Sequence, residues 1–290
     1  MENELIAFAR ELIAECGKKL TLKRKKEMLK VEEKDGCSDI VTNHDRWAQK
    51  YIITRIVKQY PKHIFLGEEG IENSVNDCSW VNKTGIEESL YLYAEKNDDT
   101  TSEDIAWTWV IDPIDGTSNY ACLGRDYAIS VALFKNGYLY YGWVYDVEED
   151  IMYEGKNHYE IATEDHYMPQ ECLLYMGHKT MRDLEYMGVN PYHLCQNFRG
   201  VRYEGCASLE ICKIISWKNR VYLNSHLKIW DFAAAVAILS SHACKVNAVL
   251  TEQGKYMVCA YSSEQVYSKC EEYIAEGMKT VLENRERKVV

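Results

Sequence analysis

A chain of 290 residues, 47% of them hydrophobic, can bury a substantial core in one or two domains. Its net charge of -11 and pI near 5.3 argue against unaided binding to nucleic acid or an anionic membrane, because like charges repel wherever they are unscreened. An anionic substrate would need local charge reversal, which bound cations supply most simply, and no stretch approaches the ~18 apolar residues that span a bilayer.

The first elements follow from periodicity. Leu5, Phe8, Ala9, Leu12 and Cys16 recur at helical spacing and predict an amphipathic helix, with no uninterrupted apolar region of the kind a signal peptide needs. The chain therefore reads as soluble and cytoplasmic. A basic run over 18–30 follows, best taken as a solvated face. A second helix is expected from about Thr42–Asn43, burying Ala48, Tyr51, Ile52 and Ile56 and stopping before Pro61. Residues 64–66 form a short strand leading into Gly67-Glu68-Glu69-Gly70.

Residues 71–106 carry nine acidic and two basic side chains, with a strand signal only around 90–93. Loop, lid and partly disordered insertion all fit, with a surface excursion the plainest choice. Residues 107–111 are a strand that Asp112-Pro113 should end. Residues 127–134 and 138–145 pair through Asn136-Gly137, whose tolerance of positive φ suits a type I′ hairpin turn. A strand at 151–153 follows.

From about 155 the pattern alternates: strands at 173–176, 221–223, 246–250 and 257–261, and a helix through Leu209, Cys212 and Ile215. An all-apolar helix covers 232–239, and a closing helix carries Val266, Tyr267, Cys270, Tyr273, Ile274 and Val281. The expected organisation is an α+β domain over 1–154 that binds metal, and an α/β domain over 155–290 that completes the site. The eleven cysteines form no CxxC and no zinc-type cluster, so they read as reduced, mostly buried thiols.

One stretch carries most of the chemistry. In Trp109-Val110-Ile111-Asp112-Pro113-Ile114-Asp115-Gly116-Thr117-Ser118-Asn119-Tyr120, an apolar strand delivers Asp112 to its end and Gly116 permits a turn. Two carboxylates three residues apart across that turn can converge on cations, and hard oxygen ligands suit Mg2+. The Gly-Thr-Ser that follows can offer N–H groups to a phosphate. The same residues could also make a solvated β-turn. Glu68-Glu69 could simply face water at a strand end, Asp231 could be an N-cap, and Asp45 could be the acidic partner of a capping box with Thr42.

Taken together, these fragments resemble the inositol monophosphatase family. The likeness rests on Gly67-Glu68-Glu69, the Asp112–Tyr120 motif and Trp230-Asp231-Phe232-Ala233-Ala234. It extends to Ser38-Asp39-Ile40-Val41-Thr42-Asn43-His44-Asp45 and to Arg202-Tyr203-Glu204-Gly205-Cys206-Ala207-Ser208-Leu209. It covers roughly residues 1 to 285 and implies a layered αβαβα sandwich that hydrolyses phosphate monoesters with Mg2+.

By motif position, the resemblance places Glu68, Asp112 and the Ile114 carbonyl on a first metal, and Asp112, Asp115 and Asp231 on a second. It implies that Thr117, hydrogen-bonded to Asp45, positions the water that attacks phosphorus, with Glu68 also serving catalysis. Substrate contacts would come from Lys34, Asp115, Gly116, Thr117, Gly205, Ala207, Asn224 and Asp231. A homodimer and sensitivity to lithium are further implications.

This chain departs from the animal enzymes in having Asn224, seven residues before Asp231, where they carry a glutamate that touches sugar hydroxyls. Cys206 stands where serine is common. The 71–106 segment is long, and the 155–172 region is shortened. An inositol or sugar phosphate is the expected substrate. A nucleotidase acting on 3′-phosphoadenosine 5′-phosphate or NADP, and a catalytically silent metabolite-binding relative, stay open as alternatives.

Overall fold

The computed structural model describes residues 2–34, 36, 39–70, 105–158, 163–251 and 254–286, with side chains described as far as 275. Most of the 71–106 segment and part of the 155–172 region lie outside the described residues, so the readings of those stretches do too. The chain forms two compact units. One is Met1–Glu160 with Gly205–Cys212 and Ile229–Ser241; the other is Ile161–Glu204, Lys213–Lys228 and His242–Val290. Two segments beyond 154 thus fold with the first unit, an interleaving that periodicity does not reveal.

In the first unit, helix α1 (Glu2–Lys26) runs through much of the basic stretch and carries its lysines on the outer face. A two-stranded ribbon, β1 (Val31–Glu33) and β2 (Ile40–Thr42), leads into α2 (Asn43–Gln59). A five-stranded sheet follows in the order β3-β4-β5-β6-β7, from β3 (Ile64–Gly67), β4 (Trp107–Asp115), β5 (Ala128–Lys135), β6 (Tyr138–Asp146) and β7 (Ile151–Lys156). Only β3 and β4 are parallel.

Every residue of β5 is buried, which requires layers on both faces of the sheet. On one face Trp109, Ile111, Ile129, Val131, Leu133 and Trp143 pack with Leu12, Ile13, Ile52 and Ile53 of α1 and α2. On the other lies α7 (Ile229–Ser240), so close that a Cβ on Gly142 would sit 2.1 Å from the Ala234 carbonyl oxygen. Backbone cannot yield as a side chain can. Gly142→Ala is therefore expected to cost about 1–3 kcal/mol of overpacking strain in urea unfolding, and an unchanged midpoint would mean that α7 is not seated on the sheet.

The turn between β5 and β6 has φ of 52° at Asn136 and 86° at Gly137, as the Asn-Gly pair predicts. Strand β4 does not end at Asp112-Pro113. It continues to Asp115 through a bulge, since Asp112 pairs with Ser130 but Asp115 pairs with Ala128. Pro113 has no N–H to offer the ladder, and the Ile114 N–H turns to the Asp112 carboxylate Oδ1 at 3.0 Å. The strand absorbs the proline by inserting one residue.

The second unit has a sheet in the order β11-β12-β10-β8-β9, from β8 (Leu173–Tyr175), β9 (Gly200–Arg202), β10 (Arg220–Leu227), β11 (Lys245–Leu250) and β12 (Tyr256–Tyr261). Helices α4 (His178–Tyr186), α5 (Pro191–Cys195) and α8 (Glu264–Glu286) cover a core that includes Leu174, Leu184, Leu194, Leu223 and Val266. The Asn190 side chain caps α5 ahead of Pro191, a start signal that sequence reading passed over. Of the nine described cysteines, seven are buried and all are free. Among the described residues no helix is long and apolar enough to cross a membrane.

Candidate functional site

The site grows from the ends of three elements in the first unit. The first is the start of α2. The Thr42 side chain accepts from the backbone N–H of His44 and Asp45, while Asp45 Oδ2 accepts from the Thr42 N–H at 2.9 Å and from its hydroxyl. That is a complete capping box. The other oxygen, Oδ1, accepts from the Thr117 hydroxyl at 3.1 Å. Asp45 thus caps α2 with one oxygen and bonds Thr117 with the other. Burial pushes its carboxyl up to about 6, partly offset by the bonds from Thr42 and Thr117.

The second element is the end of β3. The Glu68 N–H donates to the Ile111 carbonyl at 3.1 Å, which extends the β3–β4 pairing and fixes Glu68 beside β4. Lys34 bridges Glu68 and Glu69, with Nζ 3.0 and 2.5 Å from the two carboxylates. Gln49 of α2 holds the turn from below: its Oε1 accepts from the Glu69 N–H at 3.1 Å and its Nε2 donates to the Gly70 carbonyl at 2.8 Å.

The third element is the turn from β4 into the short helix α3 (Thr117–Cys122). Gly116 takes φ of 83° there, and a Cβ would lie 3.1 Å from both the Asp126 carbonyl and the Cys206 Cβ. Positive φ and lack of room both demand glycine. The Thr117 hydroxyl, besides reaching Asp45, lies 3.0 Å from the Ile114 carbonyl oxygen.

Asp112 sits at the centre, with 2% of its surface exposed. Burial pushes its carboxyl well above the usual range, and the charges of Glu68, Asp115 and Asp231 push it further. Asp231 lies in the first turn of α7, third in the helix and not its N-cap. A buried carboxylate whose ionisation three other carboxylates oppose is what a multivalent cation stabilises, and the donors are all hard oxygens.

Asp115 is held in a way the sequence did not suggest. Its Oδ2 accepts from the Ser208 N–H and hydroxyl, both at 2.6 Å, and from the Cys206 thiol at 3.2 Å; its Oδ1 accepts from the Ala207 N–H at 3.3 Å. Burial raises this carboxyl and those bonds pull it back. These donors lead into and start α6 (Ala207–Cys212), which ends before the expected Ile215. Among the described residues no three metal-ligating side chains are already drawn around one point. Glu68 is turned to Lys34, and Asp115 to the 206–208 segment.

Gly205 belongs to the same segment, with its N–H donating to Glu210 at 2.8 Å. Asn224 lies in the other unit, inside β10 at a break in register, not at the strand end. Its Oδ1 accepts from the His226 N–H at 2.9 Å and its Nδ2 donates to the Tyr222 hydroxyl at 3.0 Å.

Fold and site together define an α+β enzyme organised around buried carboxylates. Residues 1–281 match the inositol monophosphatase family. The inositol-1-monophosphatase of Bacillus subtilis is 28% identical over 248 residues, 82% of this chain and 83% of that protein. The crystal structure of SaIMPase-II with bound inositol monophosphate superposes with a TM-score of 0.71 at 20% identity, covering 98% of this chain and 99% of the other. The same protein with bound 2′AMP gives 0.70 at 22%, covering 98% and 99%. The chain belongs to the inositol monophosphatase family, has its layered fold, and is a phosphoric monoester hydrolase of this metal-dependent group.

Proposed function

We propose that this enzyme hydrolyses inositol monophosphate or a sugar phosphate with Mg2+, and that the carboxylate cluster around Asp112 is its metal centre. The observation that carries this reading is Asp112 itself, buried at the bulge of β4 and opposed by the charges of Glu68, Asp115 and Asp231. Glu68, Asp112 and the Ile114 carbonyl would hold one ion, and Asp112, Asp115 and Asp231 a second. Mg2+ bound there would neutralise the phosphate charge and make the attacking water more acidic.

The chain's own residues do the positioning. The Thr117 hydroxyl has one proton and, when it gives that proton to Asp45, its lone pairs are free to accept from water. Donation to a carboxylate strengthens such acceptance, so Thr117 turns the water's own lone pair towards phosphorus. The N–H groups of Gly116 and Thr117 would hold phosphate oxygens, and Lys34 would sit at the mouth. Gly205 and Ala207 would also contact substrate, and Asn224 would read the leaving group. Lithium inhibition, a homodimer and a cytoplasmic location go with this reading.

The test is phosphate release with Mg2+ from inositol monophosphate, a hexose phosphate, 3′-phosphoadenosine 5′-phosphate and NADP, ranked by kcat/KM. Preference for the first two supports the proposal; preference for the nucleotides moves the chain to the nucleotidase reading. No release from any of them leaves a silent binding relative.

Asn224→Glu extends the test. A polar group left unpaired costs ~1–3 kcal/mol, so the variant is expected to reorder these substrates by roughly five- to a hundred-fold. If all change by one factor, Asn224 only braces its strand between His226 and Tyr222.

A further inference from the structure

The Thr117–Asp45 pair joins the start of α3 to the start of α2. Helix α3 has only six residues, too short to hold its own shape. One turn beyond Thr117, on the same face, Tyr120 is fully buried. Its hydroxyl lies 2.6 Å from Nδ1 of His44, the residue before Asp45, which is also fully buried. The rings meet edge to face with centroids 5.9 Å apart. Two bonds therefore tie the same two elements: Thr117 to Asp45, and Tyr120 to His44.

The protons in the second bond can be placed. Among the described residues His44 Nε2 has no hydrogen-bond partner, and the Glu27 carboxylate lies 3.9 Å from it. A carboxylate on that side favours Nε2–H over a lone pair, which leaves Nδ1 bare to accept from Tyr120. On the outer side of α3 the Arg24 guanidinium donates to the Tyr120 carbonyl at 3.0 Å. Tyr120 is thus gripped at both its backbone and its hydroxyl.

We infer that the Tyr120–His44 hydrogen bond is a positioning device for the reaction, setting the distance between the Thr117 hydroxyl and Asp45. The inference rests on the role proposed above for Thr117. Neither residue touches substrate; both act through the pair they align.

The experiment compares wild type, Thr117→Ala, Tyr120→Phe, His44→Gln and the Thr117→Ala/Tyr120→Phe double variant, with kcat and KM for inositol monophosphate and urea midpoints for each. Tyr120→Phe is expected to lower kcat about tenfold with KM nearly unchanged, short of the ~10²-fold that a 1 Å misplacement costs. His44→Gln, which keeps an acceptor for the tyrosine, should retain more kcat than Tyr120→Phe. In the Thr117→Ala background Tyr120→Phe should lower kcat no further, because the hydroxyl it aligns is gone.

Nitrogen-15 shifts of the His44 imidazole should show the Nε2–H tautomer. A Tyr120→Phe kcat within twofold of wild type would overturn the inference. Equal losses in both backgrounds would also overturn it, since a merely structural contact acts whether or not Thr117 is present. A Thr117→Ala protein with wild-type kcat would refute the reading of Thr117 itself and take this inference with it.

Discussion

Asp112→Asn is expected to hydrolyse phosphate monoesters on the order of 10³-fold more slowly than wild type, yet to unfold at a higher temperature when divalent cations are removed. The two effects share one cause. Asp112 is buried beside three other carboxylates whose charges disfavour its ionisation. Without a cation that repulsion opposes folding, and a neutral amide of the same shape removes it. The amide oxygen can still accept from the Ile114 N–H, so the bulge in β4 keeps its bond.

Relief of order 1 kcal/mol would raise Tm by about 2–3 °C in a chain of this size. Activity moves the other way, because the residue proposed to serve both ions has lost its charge, and tenfold in rate is about 1.4 kcal/mol. The measurement is a pair of thermal melts with chelator and with excess Mg2+, beside kcat/KM. Mg2+ should stabilise wild type and leave the variant nearly unmoved. A variant less stable than wild type in chelator would show that Asp112 is held by bonds that outweigh the repulsion.

Thr117→Ala is expected to lower kcat by roughly 10²-fold or more and to change KM little. Orienting a nucleophile matters in the transition state far more than in the ground state, so its loss falls on kcat. The fold should tolerate the change. The hydroxyl's partners, the Asp45 carboxylate and the Ile114 carbonyl, both belong to elements tied elsewhere: Asp45 by its capping box, and Ile114 by its own strand. Steady-state kinetics decide the matter, and a rise in KM at constant kcat would make Thr117 a substrate contact instead.

The sequence made some of this legible and hid the rest for physical reasons. Thr42, Asp45 and Pro61 bracket α2 through local hydrogen-bond chemistry, so its start could be read closely. Asn136-Gly137 carries its own backbone preference, and the hairpin formed there. The end of the strand through Asp112 was not legible, because a proline stops a regular ladder but a bulge can absorb it; the register shift depends on pairing with β5, 13 to 18 residues along the chain.

Tertiary choices were less visible. Nothing local announces that residues 205–212 and 229–241 fold with the first unit. The bonds from Ser208 and Cys206 to Asp115 cross more than ninety positions, although the Gly-Cys-Ala-Ser segment had been singled out by resemblance. Nothing local in the sequence places Tyr120 against His44, 76 positions away.

The most direct measurement of metal-dependent catalysis at this cluster is phosphate release from inositol monophosphate after exhaustive chelation, followed by titration with Mg2+. Release should stop in chelator and return as Mg2+ is added, while Asp112→Asn stays on the order of 10³-fold slower at every concentration. Undiminished release from the chelated wild-type enzyme would contradict it.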